Sequence, residues 1–150
     1  MKSVFNPSDK NEVIERIHKL TPNSTPQWGK MDVAQMLAHC NVTYELIYED
    51  KHPKPNAFKR FILKLLVKPL VVNEKPYKKG SPTAPEFLIK SNKNFEVERQ
   101  RLIDHINKTQ ELGQAHFEGK ASHSFGILTG QEWNNMFYKH LDHHLTQFGV

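Results

Sequence analysis

Apolar residues recur at intervals of three and four along most of this chain, which places them on one face of an α-helix. Two pairs, Asp9 with Glu12 and Thr129 with Glu132, have the three-residue spacing of a capping box at a helix N-terminus. Amphipathic helices that share a core favour an all-α bundle. We predict four long helices, over about residues 8–20, 32–49, 92–112 and 129–148.

A long segment separates the second and third of these helices. Residues 52–91 contain six of the nine prolines. Within this segment, NAFKRFILKLLVK predicts a short extra amphipathic helix that Pro69 ends. Its two sides are apolar (Phe58, Phe61, Ile62 and Leu65) and basic (Arg60, Lys64 and Lys68).

The positive charge of the chain is concentrated in this same segment. Residues 51–79 carry nine Lys/Arg and one acid, a net charge of +8, whereas the remainder sums to −3. The favoured interpretation is a solvated rim on a helix whose phenylalanines pack on the bundle. The alternatives are a surface that attracts an anionic substrate or cofactor, and a helix lying on an acidic membrane surface. No nucleic-acid-binding motif is present, so we expect no nucleic-acid partner.

Length and cysteine content indicate one cytoplasmic domain over residues 1–150. The single cysteine, Cys40, excludes an intramolecular disulfide and a cysteine-based zinc motif. The N-terminus lacks the apolar region of a secretory signal, and the longest apolar stretch, residues 61–72, is short and contains lysine. We expect a small-molecule substrate rather than a membrane surface as partner, and the sequence leaves a homodimer open.

Three histidines, His140, His143 and His144, fall within five residues of the last predicted helix. Residues four apart lie on one helix face, so His140 and His144 can converge on one ion at about 2.0–2.1 Å from each nitrogen. By periodicity, His39 on the second helix is the best placed third ligand. Histidines in this position also commonly form core hydrogen bonds, so the spacing leaves both a metal site and a structural cluster open.

Four segments together carry a resemblance to a known superfamily. HLDHHLTQ, residues 140–147, resembles the H-x-x-H-H-x-x-Q motif in the C-terminal helix of the DinB/YfiT-like metalloenzymes. PQWGKMDVAQMLAHC (residues 26–40), SPTAPEF (residues 81–87) and HSFGILTGQEW (residues 123–133) are similar to an uncharacterised, domain-of-unknown-function branch of that superfamily. Their combined order spans most of the chain.

The resemblance implies a DinB-like four-helix bundle with a three-histidine metal centre. The implied ligands are His39, His140 and His144, with His143 and Gln147 orienting the site or packing between helices. The implied cofactor is a divalent ion (zinc, nickel or iron) that activates water or a low-molecular-weight thiol, as in S-transferase-like or hydrolase-like chemistry. His123 is a candidate fourth ligand or proton carrier. The alternative function is a non-catalytic bundle that binds a partner, in which the histidines form a core hydrogen-bond network or a structural metal clip.

Overall fold

The computed structural model of the protein describes all 150 residues. It is mostly helical, as the periodicity predicts, and its only strands are the two-residue β1 and β2 of one antiparallel hairpin. None of the helices has the length and apolar content needed to cross a bilayer. The elements in chain order are α1 (Pro7–His18), α2 (Val33–Tyr48), α3 (Ala57–Ile62), a π-helical turn (Leu63–Val67), α4 (Lys68–Val72), a 3-10 turn (Pro85–Phe87), α5 (Phe95–Phe117), β1 (Ala121–Ser122), β2 (Gly126–Ile127) and α6 (Gly130–Gln147).

The four long helices α1, α2, α5 and α6 pack against one another around one apolar core. The core has 22 buried residues, and all four helices contribute to it. Burial of this apolar area is the main favourable term in folding. The largest side chains that are almost completely buried include Ile17, Met36, Tyr44, Leu102, Trp133 and Phe137.

The ends of the long helices follow local capping chemistry, although one predicted cap is wrong. Thr129 and Glu132 form the predicted capping box of α6. The N-cap of α1 is Asn6, whose side-chain oxygen accepts the amides of Ser8 and Asp9. Asp9 instead accepts the amide of Ser3, at 2.8 Å. The three-residue spacing did not identify the cap because the helix begins earlier, at Pro7, where Asn6 accepts the first free amides.

The extra helix of the middle segment continues past Pro69, contrary to the prediction. The helical run extends through the π-helical turn to Val72, with Pro69 in the first turn of α4. Proline needs no hydrogen bond in the first turn of a helix, and the wider π turn precedes it. Proline therefore marks a change of helix type here, not an end.

The apolar side of this run is exposed, which contradicts the expectation that its phenylalanines pack on the bundle. Phe58 is 75% exposed and Phe61 is 64% exposed. No residue of α3, the π turn or α4 is buried. The α4 end packs on the long helix α6, where Val72 contacts the core.

Candidate metal centre

The structure brings His39, His140 and His144 together between α2 and α6. Each offers one ring nitrogen, and these nitrogens all lie within 4.8 Å of one another. His39 and His144 are buried and His140 is partly exposed. Three imidazole nitrogens converging in this way could bind a divalent metal ion.

The outer nitrogens of two of these rings are held by acceptors. Nδ1–H of His39 donates to the backbone carbonyl of Phe87 at 2.9 Å. Nδ1–H of His144 donates to the side-chain oxygen of Gln147 at 2.8 Å. A carbonyl oxygen can only accept, so in both neutral rings the proton is on Nδ1 and Nε2 carries a lone pair.

Gln147 is itself held in one orientation. Its side-chain nitrogen donates to the carbonyl of Trp28 at 2.6 Å, which directs the oxygen toward His144. The neighbouring Gly29 has φ +87°, and a Cβ there would lie 2.6 Å from the nitrogen of Gln147. Glycine is therefore required both by the backbone conformation and by the close approach of Gln147. The W-G pair and the final glutamine of the C-terminal motif thus meet beside His144.

The third ring, His140, has a hydroxyl partner. Its Nδ1 lies 3.0 Å from Oγ1 of Thr43. Its Nε2 lies 2.9 Å from Nε2 of His39. A hydroxyl can donate or accept, so Thr43 is compatible with either neutral tautomer of His140.

All three histidines are kept neutral by their surroundings. Burial lowers the pKa of His39, although its bond to Phe87 opposes the shift. Burial and the neighbouring imidazoles lower the pKa of His140 well below its ordinary value, and burial followed by His39 lowers the pKa of His144 to about 3. Neutral imidazole is the form that binds a metal, so the lone pairs are available at neutral pH.

Phe87 also covers the cluster with its ring. The ring centroids of Phe87 and His39 are 5.2 Å apart, and those of Phe87 and His140 are 5.8 Å apart. The residue comes from the 3-10 turn in the long middle segment. This segment therefore supplies both a hydrogen-bond acceptor and an apolar wall to the site.

His143 points away from the cluster toward a cleft of about 330 Å³. There it lies edge-on to Trp28 and to Tyr77, at centroid distances of 5.8 and 5.6 Å. Lys79 places its ammonium 4.2 Å from the centre of the Trp28 ring. His143 is therefore a lining residue of a neighbouring aromatic cleft.

The remaining candidates lie outside the cluster. Nε2–H of His123 faces the carbonyl of His52 at 3.3 Å, and Nδ1 faces the hydroxyl of Ser124 at 3.0 Å. His123 is not among the converging nitrogens, and its catalytic role stays a prediction. Cys40 is 1% exposed, and burial raises its thiol pKa, as expected of a structural cysteine.

A second polar cluster, which the sequence did not predict, lies between α2 and α5. Glu45 accepts hydrogen bonds from Arg101 and His52, and it forms an ion pair with Lys51 at 3.2 Å. Asn41 donates to Glu98 and contacts Nδ1 of His105 at 3.0 Å. These side chains match no motif, and their pairing depends on how the two helices face each other.

Comparison with known proteins is informative at the family level. A family described as "Protein of unknown function (DUF1569)" matches residues 3–149. No curated protein and no solved structure matches the chain. The predicted membership of a domain-of-unknown-function family is confirmed, and the wider DinB/YfiT-like assignment stays a prediction. A match over almost the whole chain means that this protein belongs to the DUF1569 family.

Proposed function

We propose that the protein is a metal-dependent enzyme whose divalent ion is held by Nε2 of His39, His140 and His144. One observation carries this proposal. The outer nitrogen of each ring has an oxygen partner on the protein, so that the three inner nitrogens face one another. Outer-shell acceptors of this kind orient histidine ligands in metal sites and raise their basicity.

A count of protons and lone pairs favours an ion over a purely hydrogen-bonded cluster. His39 and His144 each direct a lone pair inward because their protons are on Nδ1. If His140 carries its proton on Nε2, that proton can satisfy His39, at 2.9 Å. The lone pair on Nε2 of His144 then has no donor among the protein's own groups. One ion satisfies all three nitrogens if the proton of His140 moves to Nδ1 and is donated to Thr43.

The donor set fits zinc, nickel or iron, which bind imidazole, and three protein ligands leave coordination positions open. When bound, such an ion lowers the pKa of a coordinated water or thiol and so provides a nucleophile near neutral pH. Phe87 and Gln147 keep His39 and His144 in the ligating tautomer, and Thr43 can accept the Nδ1 proton of His140 in that tautomer. The ring of Phe87 packs beside His39 and His140. S-transferase-like and hydrolase-like reactions both use such a nucleophile.

The wider arrangement supports a DinB-like four-helix bundle as a single domain over residues 1–150. The four long helices share one core, and the histidines come from the second and the last of them. The cleft of about 330 Å³ beside His143 has the size of a small-molecule site and lies next to the cluster, although none of the three clustered histidines lines it. We propose a small-molecule substrate on that basis.

A non-catalytic bundle is the second candidate. The distance of 2.9 Å between Nε2 of His39 and Nε2 of His140 is that of a direct hydrogen bond. In that case the histidines stabilise the packing of α2 on α6, and the protein acts by binding. A metal-bound centre and a hydrogen-bonded one require different tautomers of His140.

Elemental mass spectrometry on untagged protein tests the metal site. We expect about one ion per chain in the wild type and loss of that ion in the His140→Ala/His144→Ala variant, with helical circular dichroism retained. A His18→Ala/His116→Ala variant is the matched control, since these two histidines lie outside the cluster. Absence of metal in the wild type, even after dialysis against zinc, nickel, iron and manganese, would contradict the proposal.

The tautomer of His140 tests the same proposal without an activity assay. In ¹⁵N NMR spectra, we expect added zinc to leave His140 protonated on Nδ1 and metal-bound on Nε2. A wild type in which His140 keeps its proton on Nε2 in excess zinc would support the non-catalytic candidate. With metal established, thiol-transfer and hydrolase substrates then separate catalysis from structural metal binding.

A further inference from the structure

The helical run from Ala57 to Val72 presents an unusual surface for a folded protein. Its outer side carries large apolar residues, and they are not scattered singly as exposed apolar residues usually are. All are more than half exposed: Phe58 (75%), Phe61 (64%), Leu65 (62%), Leu66 (62%) and Leu70 (64%). We call these five residues the apolar ridge.

The ridge is held in this orientation by contacts on its inner side. Lys139 on α6 donates to the carbonyls of Leu70 and Asn73, at 2.8 and 2.6 Å. Asn135, one turn earlier, donates to the carbonyl of Val72 at 2.8 Å. Toward the other end, Lys59 forms an ion pair with Glu86 at 2.8 Å. The outward position of the ridge is therefore part of the packed structure.

Positive charge outside ion pairs lies within and on either side of the helical run in the sequence. Of the nine basic residues within residues 51–79, three form ion pairs with acids outside that range: Lys51, Lys59 and Lys68. Arg60 and Lys64, on the same helical run, are exposed and form no ion pair. Four further lysines without an ion pair flank the run: Lys54, Lys75, Lys78 and Lys79.

This charge argues against a second copy of the chain as the occupant of the ridge. A two-fold contact places the same surface of both subunits face to face. Two basic surfaces, each with the six cations outside ion pairs that are named above, would then oppose each other. An anionic surface has the complementary charge and also accepts exposed phenylalanine and leucine.

We propose that the helical run from Ala57 to Val72 is a membrane-surface anchor that binds anionic lipid. The apolar ridge enters the boundary between headgroups and acyl chains, while Arg60 and Lys64 bind the lipid phosphates. The protein lies on the membrane and does not cross it. This proposal is independent of the metal centre.

Co-sedimentation of the full-length protein with lipid vesicles tests the anchor. We expect binding to phosphatidylcholine vesicles that contain phosphatidylglycerol, little binding to pure phosphatidylcholine, and release when salt is raised from about 0.1 M to about 1 M. The Arg60→Gln/Lys64→Gln variant should bind roughly twenty- to thirtyfold more weakly, because each cation near an anionic surface contributes about fivefold. The Phe58→Ser/Phe61→Ser variant should lose most of its binding to the anionic vesicles at about 0.1 M salt, where the wild type is bound.

Matched controls distinguish binding through this helical run from binding through net charge or exposed apolar surface elsewhere on the protein. Lys90→Gln/Lys93→Gln removes the same charge from exposed positions outside the run, and Ile127→Ser removes an apolar side chain that is 69% exposed. Both should bind anionic vesicles like the wild type. Equal binding of all variants, or no binding by the wild type, would overturn the proposal. A second result would also overturn it: a wild type that sediments as a dimer and a Phe58→Ser/Phe61→Ser variant that sediments as a monomer. The ridge would then be a subunit interface.

Discussion

The Nε2 atoms of His39 and His140 lie 2.9 Å apart, although Nδ1–H of His39 already donates to the carbonyl of Phe87. Nε2 of His39 therefore carries a lone pair at this contact. The tautomer of His140 determines whether that lone pair accepts a proton from His140 or binds a metal ion. The hydroxyl of Thr43, 3.0 Å from Nδ1 of His140, permits either state. The centre can thus be neutral and ordered both with and without metal.

Removing the Thr43 hydroxyl should weaken metal binding. In Thr43→Val the Nδ1–H of His140 has no acceptor in the metal-bound tautomer, so we expect zinc affinity to fall by roughly 10- to 100-fold. Thr43→Ser keeps the hydroxyl and should bind zinc like the wild type. Competition titration against a chelating dye measures both. Equal affinities for the Val and Ser variants would show that Thr43 does not support His140.

Gln147 should matter for the metal site through His144. Gln147→Leu removes the acceptor of Nδ1–H, and we again expect a loss of roughly 10- to 100-fold in zinc affinity. Gln131→Leu makes the same chemical change at an exposed position of α6 and should leave affinity unchanged. Isothermal calorimetry distinguishes the two, and a similar loss in both variants would point to a general effect on the helix.

Substitution of Gly29 should cost stability and metal affinity together. A Cβ on Gly29 adds strain at φ +87° and lies 2.6 Å from the side chain of Gln147. We expect Gly29→Ala to lower the free energy of unfolding by about 1–3 kcal/mol and to weaken zinc binding. Gly80→Ala also has a positive φ, +71°, but its Cβ meets nothing within 4 Å.

The Gly80→Ala control should therefore lose stability without losing zinc affinity. Urea unfolding and zinc titration of both variants provide the comparison. If Gly29→Ala binds zinc as tightly as Gly80→Ala, the contact between Gly29 and Gln147 does not orient His144.

The acid stability of the protein should depend on Glu45. Burial raises the pKa of Glu45, but hydrogen bonds from Arg101, His52 and Lys51 outweigh it and lower the pKa from 4.5 to about 2. A pKa lower in the folded state means that Glu45 contributes fully above pH 4.5 and that its contribution is lost as the pH falls toward 2. Glu45→Gln removes this contribution.

We expect Glu45→Gln to lose about 2 kcal/mol of unfolding free energy at pH 7, with the difference from the wild type shrinking between pH 4.5 and pH 2. Urea unfolding at several pH values measures this. Glu111→Gln, an exposed change on α5, should follow the wild type throughout. A difference for Glu45→Gln that stays constant down to pH 2 would contradict the assignment.

Local patterns were sufficient for the parts of the candidate site that depend on helical spacing. The interval of four between His140 and His144 places both on one face of α6, and the apolar stripe of α2 places His39 inward. Thr43 lies one turn beyond His39 on α2, so the same reasoning could have found it. The carbonyl of Phe87 could not have been found, because a backbone acceptor leaves no mark on residue type and the chain returns to the site through an irregular segment.

The sequence by itself determined the long helices, the all-α class and the three histidines, because these depend on residue spacing along a helix. Tertiary structure alone decided which groups pair across helices: Gln147 with Trp28, His140 with Thr43, and Glu45 with Arg101. It also decided that the apolar side of the run from Ala57 to Val72 faces outward, opposite to the expectation. Amphipathic spacing identifies the apolar face of a helix, but only the packing of the neighbouring helices determines whether that face is covered.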